Sequence, residues 1–435
     1  MLVKKPKIAI LTIRNSYNYG GVLSSLKVAY TFCSEYFQPT VFFLGFGPDV
    51  ATSLRRFKFR SSAQPFSYFG MNCIEVGARW AFWEPGHYWF TYSRWKELLA
   101  DFDYVFVVSG TCIAAHPLVL LDKKFVMWIG TPYDEDRAER VKNLQGIRKF
   151  INRLAHKYMN NIEKKILQHS SFTWAISTYA RNKFEEKLGG PRMNLISCGY
   201  PIETNGPPES GAERDDIIVA VGRFNDPRKN FEMLMRVFNT FYAHHPEFKL
   251  YVIGSRPDAE KVFPFMEQES FQNIVFTGQI GSSDLTALLG RSRLMLITSY
   301  QEGLGIVGLE AMRYGVPVIA TNCGGPADYV INDQTGYLVD INDDDSMVAR
   351  MRHVVEHQEI EHRLSFHARQ LVFRQFSRET IYGLFKQGLH ATYPELEKVF
   401  SKPSESVPHE SSGRRSYIYR VFQPQKVDSF KRPLS

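Results

Sequence analysis

The chain has 435 residues, with 53 Lys and Arg against 45 Asp and Glu, so its formal net charge is +8 at pH 7. This length exceeds one ordinary hydrophobic core, and 44% hydrophobic with 23% charged residues is typical of a soluble globular protein. No apolar run is long enough to span a bilayer, and the five scattered cysteines form no CxxC pair, which argues against a transmembrane protein, a disulfide scaffold and a zinc module.

The first apolar stretch, Lys7–Ile13, directly follows a lysine-rich start. It is too short for the core of a signal peptide and lacks a small-residue cleavage site, so we interpret it as a strand in a cytoplasmic protein with reduced cysteines. A loop with Gly20-Gly21 and a helix over Val22–Tyr36 follow. Glycines before a helix allow the backbone to approach a phosphate closely, although such a pair is also common in plain turns.

Strands and helices then alternate through the first half of the chain, whereas residues 51–95 are irregular and aromatic and show no clear element. The acidic run Asp134-Glu-Asp136 is typical of a solvated loop. The predicted elements of this half are strands at 40–44, 104–108, 125–129 and 172–176, and helices at 137–167 and 178–188.

A segment rich in Pro, Gly and polar residues, 203–213, is the clearest linker, and the alternation restarts after it. The pattern predicts an α/β protein with two doubly wound parallel-sheet domains, 1–205 and 206–400, followed by a basic, flexible tail at 401–435. Later elements are strands at 217–221, 249–253, 274–276, 294–298, 317–320 and 336–339, with helices at 231–244, 283–289, from 306, and between 344 and 393.

The most informative stretch is a buried strand, a glycine loop and a helix that begins at Ile306. A helix N-terminus after a glycine loop suits an anion, because unpaired backbone N–H groups and the helix dipole point outward there. Glu302 in the loop and Glu310 in the helix are suited to accepting hydrogen bonds from hydroxyl groups. The combination predicts a phosphorylated ligand that carries several hydroxyls.

A basic turn earlier in the chain supplies positive charge for the predicted phosphorylated ligand. The strand at 217–221 ends in Gly222-Arg223, and Lys229 opens the next helical stretch. Ligands of α/β sheets bind outside the carboxyl ends of the strands, so Arg223 and Lys229 are candidates to hold a diphosphate. A lone basic residue in such a loop is usually only solvated.

Together, Val221-Gly-Arg223, Lys229-Asn230, Glu302-Gly-Leu-Gly with Glu310-Ala-Met312, and Thr321 to Pro326 resemble the retaining glycosyltransferases of family 4. The resemblance implies the GT-B architecture, in which two Rossmann-like domains face each other across a cleft. It also implies a nucleotide-diphosphate sugar as donor, no required cofactor or metal, and a glycan or lipid-linked saccharide as acceptor in carbohydrate biosynthesis.

The same resemblance implies roles for individual residues. Arg223 and Lys229 would stabilise the departing diphosphate, Glu302 would contact the transferred hexose, and Glu310 would accept the ribose hydroxyls. The remaining implied donor contacts are Gly20 and Gly21 at the phosphate, the backbone of Leu304, Gly305 and Ile306, and Gly278 and Ile280 at the nucleobase. Tyr17 and Tyr19 would lie near the acceptor.

One position departs from the family pattern. Many relatives carry a histidine near the sugar after the strand that ends at Ile129, and this chain has Gly130-Thr131-Pro132 there. Thr131 and His116 are therefore the candidates on the sugar side. The run Asp343-Asp-Asp345 precedes a helix and is interpreted as an N-cap rather than a metal site.

The region 137–167 is strongly basic, and apolar residues recur in it at helical spacing. Two interpretations remain: a peripheral contact with an anionic membrane surface, or a core-packed helix with a basic outer face. No sequence pattern supports nucleic-acid binding or a nicotinamide enzyme. The alternative to a glycosyltransferase is a non-catalytic module that binds a nucleotide sugar or serves as a scaffold on the same fold.

Overall fold

The protein is described from a computed structural model. The described residues are 5–13, 21–47, 49–53, 57, 59–79, 86, 89, 91–141, 146–203, 214–257 and 259–401. They form two sheets of eight and six strands, which confirms the predicted α/β class with two mainly parallel sheets. The five cysteines are all buried and unpaired. No helix within the described ranges is long and apolar enough to cross a membrane.

The first sheet has the order β3-β4-β2-β1-β5-β6-β7-β8. All of its neighbouring strands are parallel except the antiparallel pair β3 and β4. Its strands are β1 (Lys7–Ile13), β2 (Gln38–Gly45), β3 (Ala63–Tyr68), β4 (Met71–Gly77), β5 (Tyr104–Ser109), β6 (Val126–Ile129), β7 (Phe172–Ala175) and β8 (Leu195–Ser197). Buried apolar clusters cover both faces, which explains the continuous apolar runs in the strands.

Helices connect these strands, and two sequence expectations need correction. Residues 51–95, which showed no clear pattern, contain β3, β4 and the start of a helix. The run Asp134-Glu-Asp136 is not a solvated loop but the first turn of a helix, where negative side chains complement the helix dipole. The helices are α1 (Gly21–Tyr36), α2 (Tyr92–Leu98), α3 (His116–Leu120), α4 (Tyr133–Val141), α5 (Gly146–His169) and α6 (Thr178–Leu188).

The second sheet is fully parallel, with the order β11-β10-β9-β12-β13-β14. Its strands are β9 (Ile217–Arg223), β10 (Lys249–Ser255), β11 (Ile274–Gly278), β12 (Leu294–Ile297), β13 (Val318–Thr321) and β14 (Gly336–Val339). Strand order reverses between β9 and β12, and ligands of such sheets bind in the crevice at this switch point, outside the carboxyl ends of the strands. The glycine loop and the basic turn both lie at that switch point.

The remaining helices are α7 (Phe231–Tyr242), α8 (Ala259–Val262), α9 (Ser282–Arg291), α10 (Ile306–Arg313), α11 (Asp344–Glu356), α12 (Gln358–Gln375), α13 (Arg378–Thr392) and α14 (Glu397–Phe400). Helix α13 follows the second sheet in sequence but packs in the core of the first. Its Phe385 ring lies 5.3 Å from the ring of Trp174 in β7. The division at residue 205 stays a prediction, and the linker and the tail lie almost entirely outside the described residues.

Candidate active site

Lys229 and Glu302 form an ion pair at the switch point of the second sheet. Their side chains are 17% and 14% exposed, so the pair is largely shielded from solvent. Lys229 ends the short helical turn Pro227–Lys229, and Gly222 lets it fold back over the end of β9. A Cβ on Gly222 would lie 3.2 Å from Cε of Lys229. The absence of a side chain at position 222 therefore leaves room for the Lys229 side chain to reach the crevice.

The backbone of Glu302 is held by the loop that follows β13. Its N–H donates to the carbonyl of Cys323 at 2.9 Å, and its carbonyl accepts from the N–H of Gly325 at 2.9 Å. The hydroxyl of Ser299 donates to Oε1 of Glu302 at 2.9 Å. The carboxylate is thus fixed before any ligand arrives, which keeps the reorganisation on binding small.

The basic turn is tied to the glutamate loop by further hydrogen bonds. The N–H of Tyr300 donates to the carbonyl of Arg228 at 2.7 Å. The Thr298 hydroxyl lies 3.1 Å from the carbonyl of Lys229 and 3.2 Å from that of Asn230. The loops after β9 and β12 consequently form one rigid unit.

Gly305 sets the start of α10. It has φ of 75°, a left-handed conformation that glycine adopts without strain. The hydroxyl of Tyr329 donates to its carbonyl at 2.7 Å, and a Cβ on Gly305 would lie 2.8 Å from that hydroxyl oxygen. Leu304 is buried as a whole residue, and the contact of its backbone with the donor stays a prediction.

Two helix N-termini approach each other across the cleft. A Cβ on Gly21, at the start of α1, would lie 3.5 Å from Cδ1 of Ile306, at the start of α10. The positive ends of both helix dipoles lie near this contact. The arrangement suits a strongly anionic group. The predicted residues Tyr17, Tyr19 and Gly20 lie outside the described residues.

Glu310 lies on α10, half-buried, and its carboxylate makes no hydrogen bond to another described side chain or backbone group. Burial raises the pKa of Glu310, and nearby Arg313 partly offsets this rise. An acceptor that is shielded from water and left without a partner is suited to a ligand hydroxyl. The interpretation of Glu310 as a ligand contact remains a prediction with this geometry behind it.

Three other predicted residues occupy the rim. Arg223 ends β9 with a side chain that is 49% exposed and 3.6 Å from Asp226, so it does not join the Lys229–Glu302 pair. Gly278 ends β11 with φ of 69°, and the partly buried Ile280 follows it. Because β11 lies two strands from β9, these two residues border the side of the crevice away from Glu302.

On the first-domain wall, Thr131 faces the glutamate loop. A Cβ on Gly303 would lie 3.0 Å from Cγ2 of Thr131. His116 begins α3 and is partly buried, and its role at the sugar stays a prediction.

Sequence reasoning missed the residues that join the two walls. Asp136 of α4 forms an ion pair with Arg228, and the N–H of Thr178 donates to Oδ2 of Asp328 at 2.6 Å. The one signal available was Arg228 itself, a second cation beside Lys229. These contacts place both domains at the edge of the same crevice.

The acidic run Asp343-Asp-Asp345 caps α11. The carboxylate of Asp343 accepts from the N–H of Ser346 at 3.0 Å, and Asp344 pairs with Arg236. The interpretation as an N-cap is confirmed. Across the described ranges, no group of three His, Cys, Asp or Glu residues is arranged to hold a metal ion.

The second half of the chain is similar in sequence to known proteins. Residues 203–371 match the family described as Glycosyl transferases group 1. N-acetyl-alpha-D-glucosaminyl L-malate synthase of Bacillus anthracis is 26% identical over 40% of the chain and 45% of that protein. Sulfoquinovosyl transferase SQD2 of Arabidopsis thaliana is 32% identical over 36% of the chain and 29% of that protein. The chain thus spans less than half the length of these two relatives.

Structural similarity extends over both domains. The Anabaena protein Alr3699/HepE, solved in complex with UDP and glucose, matches with a TM-score of 0.66. The match covers 89% of the chain and 100% of that protein, at 15% identity. The fold is therefore GT-B, two Rossmann-like domains that face a central cleft, as predicted.

Proposed function

Residues 203–371 belong to the glycosyl transferases group 1 family, and from this premise we propose that the protein is a retaining glycosyltransferase. It would move a sugar from a nucleotide-diphosphate sugar to a hydroxyl of a glycan or a lipid-linked saccharide. The observation that carries the proposal is the shielded Lys229–Glu302 pair at the switch point, next to the two facing helix N-termini.

In this proposal the donor diphosphate lies between the starts of α1 and α10, within reach of Lys229 and Arg223. As the glycosidic bond breaks, negative charge accumulates on the diphosphate, and these fixed positive groups stabilise it more in the transition state than in the ground state. They supply the cationic stabilisation, so the proposal assigns no metal ion or cofactor. Arg223 is free to turn inward because its side chain is half-exposed.

Glu302 would accept a hydroxyl of the transferred sugar, and Glu310 the ribose hydroxyls of the nucleotide. No carboxylate is assigned as a nucleophile on the opposite face of the sugar, so the acceptor would attack from the face that the diphosphate leaves. This route preserves the anomeric configuration. The names of the two relatives, an N-acetyl-glucosaminyl malate synthase and a sulfoquinovosyl transferase, support transfer of a hexose-like sugar. The UDP in the HepE structure supports a nucleoside diphosphate as leaving group.

The test has two stages. Nucleoside diphosphates are first screened for a rise in melting temperature, because a ligand that binds only the folded state stabilises it. The sugar conjugates of the best base are then assayed for transfer and hydrolysis. We expect Lys229→Ala and Glu302→Gln to lose about 100-fold or more in rate, the range for removal of one transition-state donor. Lys249→Ala, at the opposite end of the sheet, is the matched control. Full activity in either site variant would contradict the proposal.

A non-catalytic nucleotide-sugar-binding module is the second candidate function. The observation that favours it is Gly130-Thr131-Pro132 at the position where many relatives carry a histidine. In that case the protein would gain thermal stability from a nucleoside diphosphate, but no donor would be consumed faster than by the Lys229→Ala variant.

We also propose that the protein is cytoplasmic and that its 137–167 region associates peripherally with an anionic membrane. A lipid-linked acceptor would be available there. Nucleic acid is not assigned as a partner.

A further inference from the structure

Helix α5 carries two apolar stripes rather than one. The inner stripe, Ala155, Met159, Ile162 and Ile166, is buried against the first domain. The outer stripe is exposed although it is apolar, with exposed fractions of 62% for Phe150, 47% for Ile151, 55% for Leu154 and 39% for Tyr158. An ordinary surface helix has an apolar face toward the core and a polar face toward water. More than half of the surface of Phe150 and of Leu154 therefore packs against no other described residue, whereas Tyr158 contacts Trp89.

The charge on the outer face has one sign. Between residues 149 and 165 the sequence contains one acidic residue, Glu163, and its side chain is fully buried and paired with Lys187. The charged side chains that do face outward are all basic: Lys149, Arg153, Lys157, Lys164 and Lys165. The outer face thus combines apolar side chains with uncompensated positive charge.

A shallow groove of about 530 Å³ lies on this face. Phe150 and Leu154 form its apolar wall, and Arg153, Lys157 and Asn160 contribute polar groups. An apolar wall next to cationic and amide donors fits an anionic headgroup with hydrocarbon beneath it.

Two more exposed aromatic side chains, Phe57 and Phe59, lie between β2 and β3. The sequence there is Arg55-Arg-Phe-Lys-Phe-Arg60, and Phe57 and Phe59 are 81% and 72% exposed. Arg94 donates to the carbonyl of Ser61 at 2.8 Å, and Trp89 donates from Nε1 to the hydroxyl of Tyr158 at 2.8 Å. Trp89 thus contacts the outer stripe of α5, and Arg94 contacts Ser61, two residues after Phe59.

We propose that the outer face of α5, together with Phe57 and Phe59, docks the protein on the surface of an anionic lipid bilayer. Basic side chains attract the acidic headgroups, and the exposed aromatic and aliphatic side chains enter the boundary between headgroups and acyl chains. A nucleic acid would match the charge but would leave Ile151 and Leu154 without a contact. The surface is independent of the donor crevice, so its test does not depend on the proposed transfer reaction.

The experiment is co-sedimentation of the full chain with vesicles of phosphatidylcholine alone or mixed with phosphatidylserine. We expect binding to the mixed vesicles and not to the neutral ones, and weakening of this binding with rising salt. The double variant Phe150→Ser/Leu154→Ser should bind at least tenfold more weakly. Arg153→Gln and Lys157→Gln should each weaken binding about fivefold, the effect of one basic residue at such a surface.

Phe366→Ser is the matched control, because Phe366 is 54% exposed on α12 of the other domain. It should bind vesicles as the unmodified protein does. Circular dichroism of every variant excludes unfolding as the cause of a loss. Equal binding to neutral and anionic vesicles, or no effect of the double variant, would overturn the proposal. An assembly that forms without vesicles and dissociates in the double variant would also overturn it, in favour of self-association.

Discussion

Asp136 and Arg228 form an ion pair between the two domains, with 2.9 Å between Oδ1 of the acid and Nη1 of the guanidinium. The same Nη1 donates to Oε1 of Gln301 at 3.2 Å, and Nη2 pairs with Asp226 at 2.8 Å. Burial opposes the charge of Arg228, but the surrounding acids outweigh it and raise the pKa. Because Arg228 precedes Lys229 directly, this contact links the position of α4 to the geometry of the donor site.

Loss of this pair is expected to slow transfer without loss of folding. Asp136→Asn should weaken the contact between the two domains by about 2 kcal/mol, the value of a hydrogen bond that involves a charged group. This loss corresponds to a fall of roughly 30-fold in kcat/KM. Steady-state kinetics with the best donor measure the effect. Asp101→Asn, at an exposed ion pair with Lys7 in the first domain, is the control and should behave as the unmodified protein does. Equal effects of the two substitutions would contradict a role for the interdomain pair.

The second prediction concerns the glycine beneath Lys229. Gly222→Val places branched carbons where Cε and Cδ of Lys229 now lie, 3.2 and 3.3 Å from a Cβ at this position. The lysine must then move away from Glu302, and we expect transfer to fall about tenfold or more, as it does when a catalytic group is displaced by roughly 1 Å. Gly290→Val is the control for a glycine with no neighbour within 4 Å. Retained activity in Gly222→Val would show that the ion-pair geometry is not needed.

A third prediction follows from Asp328. Burial raises its pKa from 3.8 to about 6, although the N–H of Thr178 partly counteracts the rise. Since the folded pKa exceeds the unfolded one, the carboxyl favours folding most when protonated, and this contribution is lost as pH rises from about 4 to about 6. Asp328→Asn keeps an acceptor for Thr178 but cannot ionise.

The difference in melting temperature between Asp328→Asn and the unmodified protein should therefore grow in favour of the variant across that pH window, with a plateau above pH 7. Asp340→Asn, which removes a carboxylate at an exposed position of the same domain, is the control for the substitution itself. A pH-independent difference for Asp328→Asn would contradict the prediction.

The fourth prediction concerns the buried carboxylate of Glu163, which forms an ion pair with Lys187. The same carboxylate accepts a hydrogen bond from the N–H of Tyr133 at 3.0 Å. Lys187→Met leaves this charge buried and without its cation, which should lower the free energy of unfolding by about 3–5 kcal/mol. Lys183→Met removes a more exposed lysine from the same helix and should cost less than about 1 kcal/mol. Chemical denaturation of both variants provides the comparison. Similar losses would indicate that Glu163 becomes protonated rather than remaining a buried charge.

The central motif could be predicted because its parts are contiguous. β9 begins with five apolar residues, Ile217 to Val221, and β12 is apolar throughout, and polar residues of the site closely follow each apolar run. The hairpin of β3 and β4 could not be predicted, because its buried and exposed residues do not alternate regularly. Its turn, Phe69-Gly70, also has positive φ at both residues.

Asp136 and Arg228 escaped prediction for a different reason. They are 92 residues apart, and neither belongs to a pattern that indicates a partner. The acidic run around Asp136 has the composition of a solvated turn. What determines its structure is a set of cations on other elements, which only the fold brings near.

The return of α13 to the first sheet means that the chain passes between the domains twice. The two passages lie side by side, because the N–H of Ile202 donates to the carbonyl of Phe376 at 2.7 Å and Ile202 forms a bridge with Ser377. A single connection would allow the domains to twist and slide. Two adjacent connections are expected to favour rotation about the line through them, which would change the distance between Asp136 and Arg228 without sliding one domain past the other.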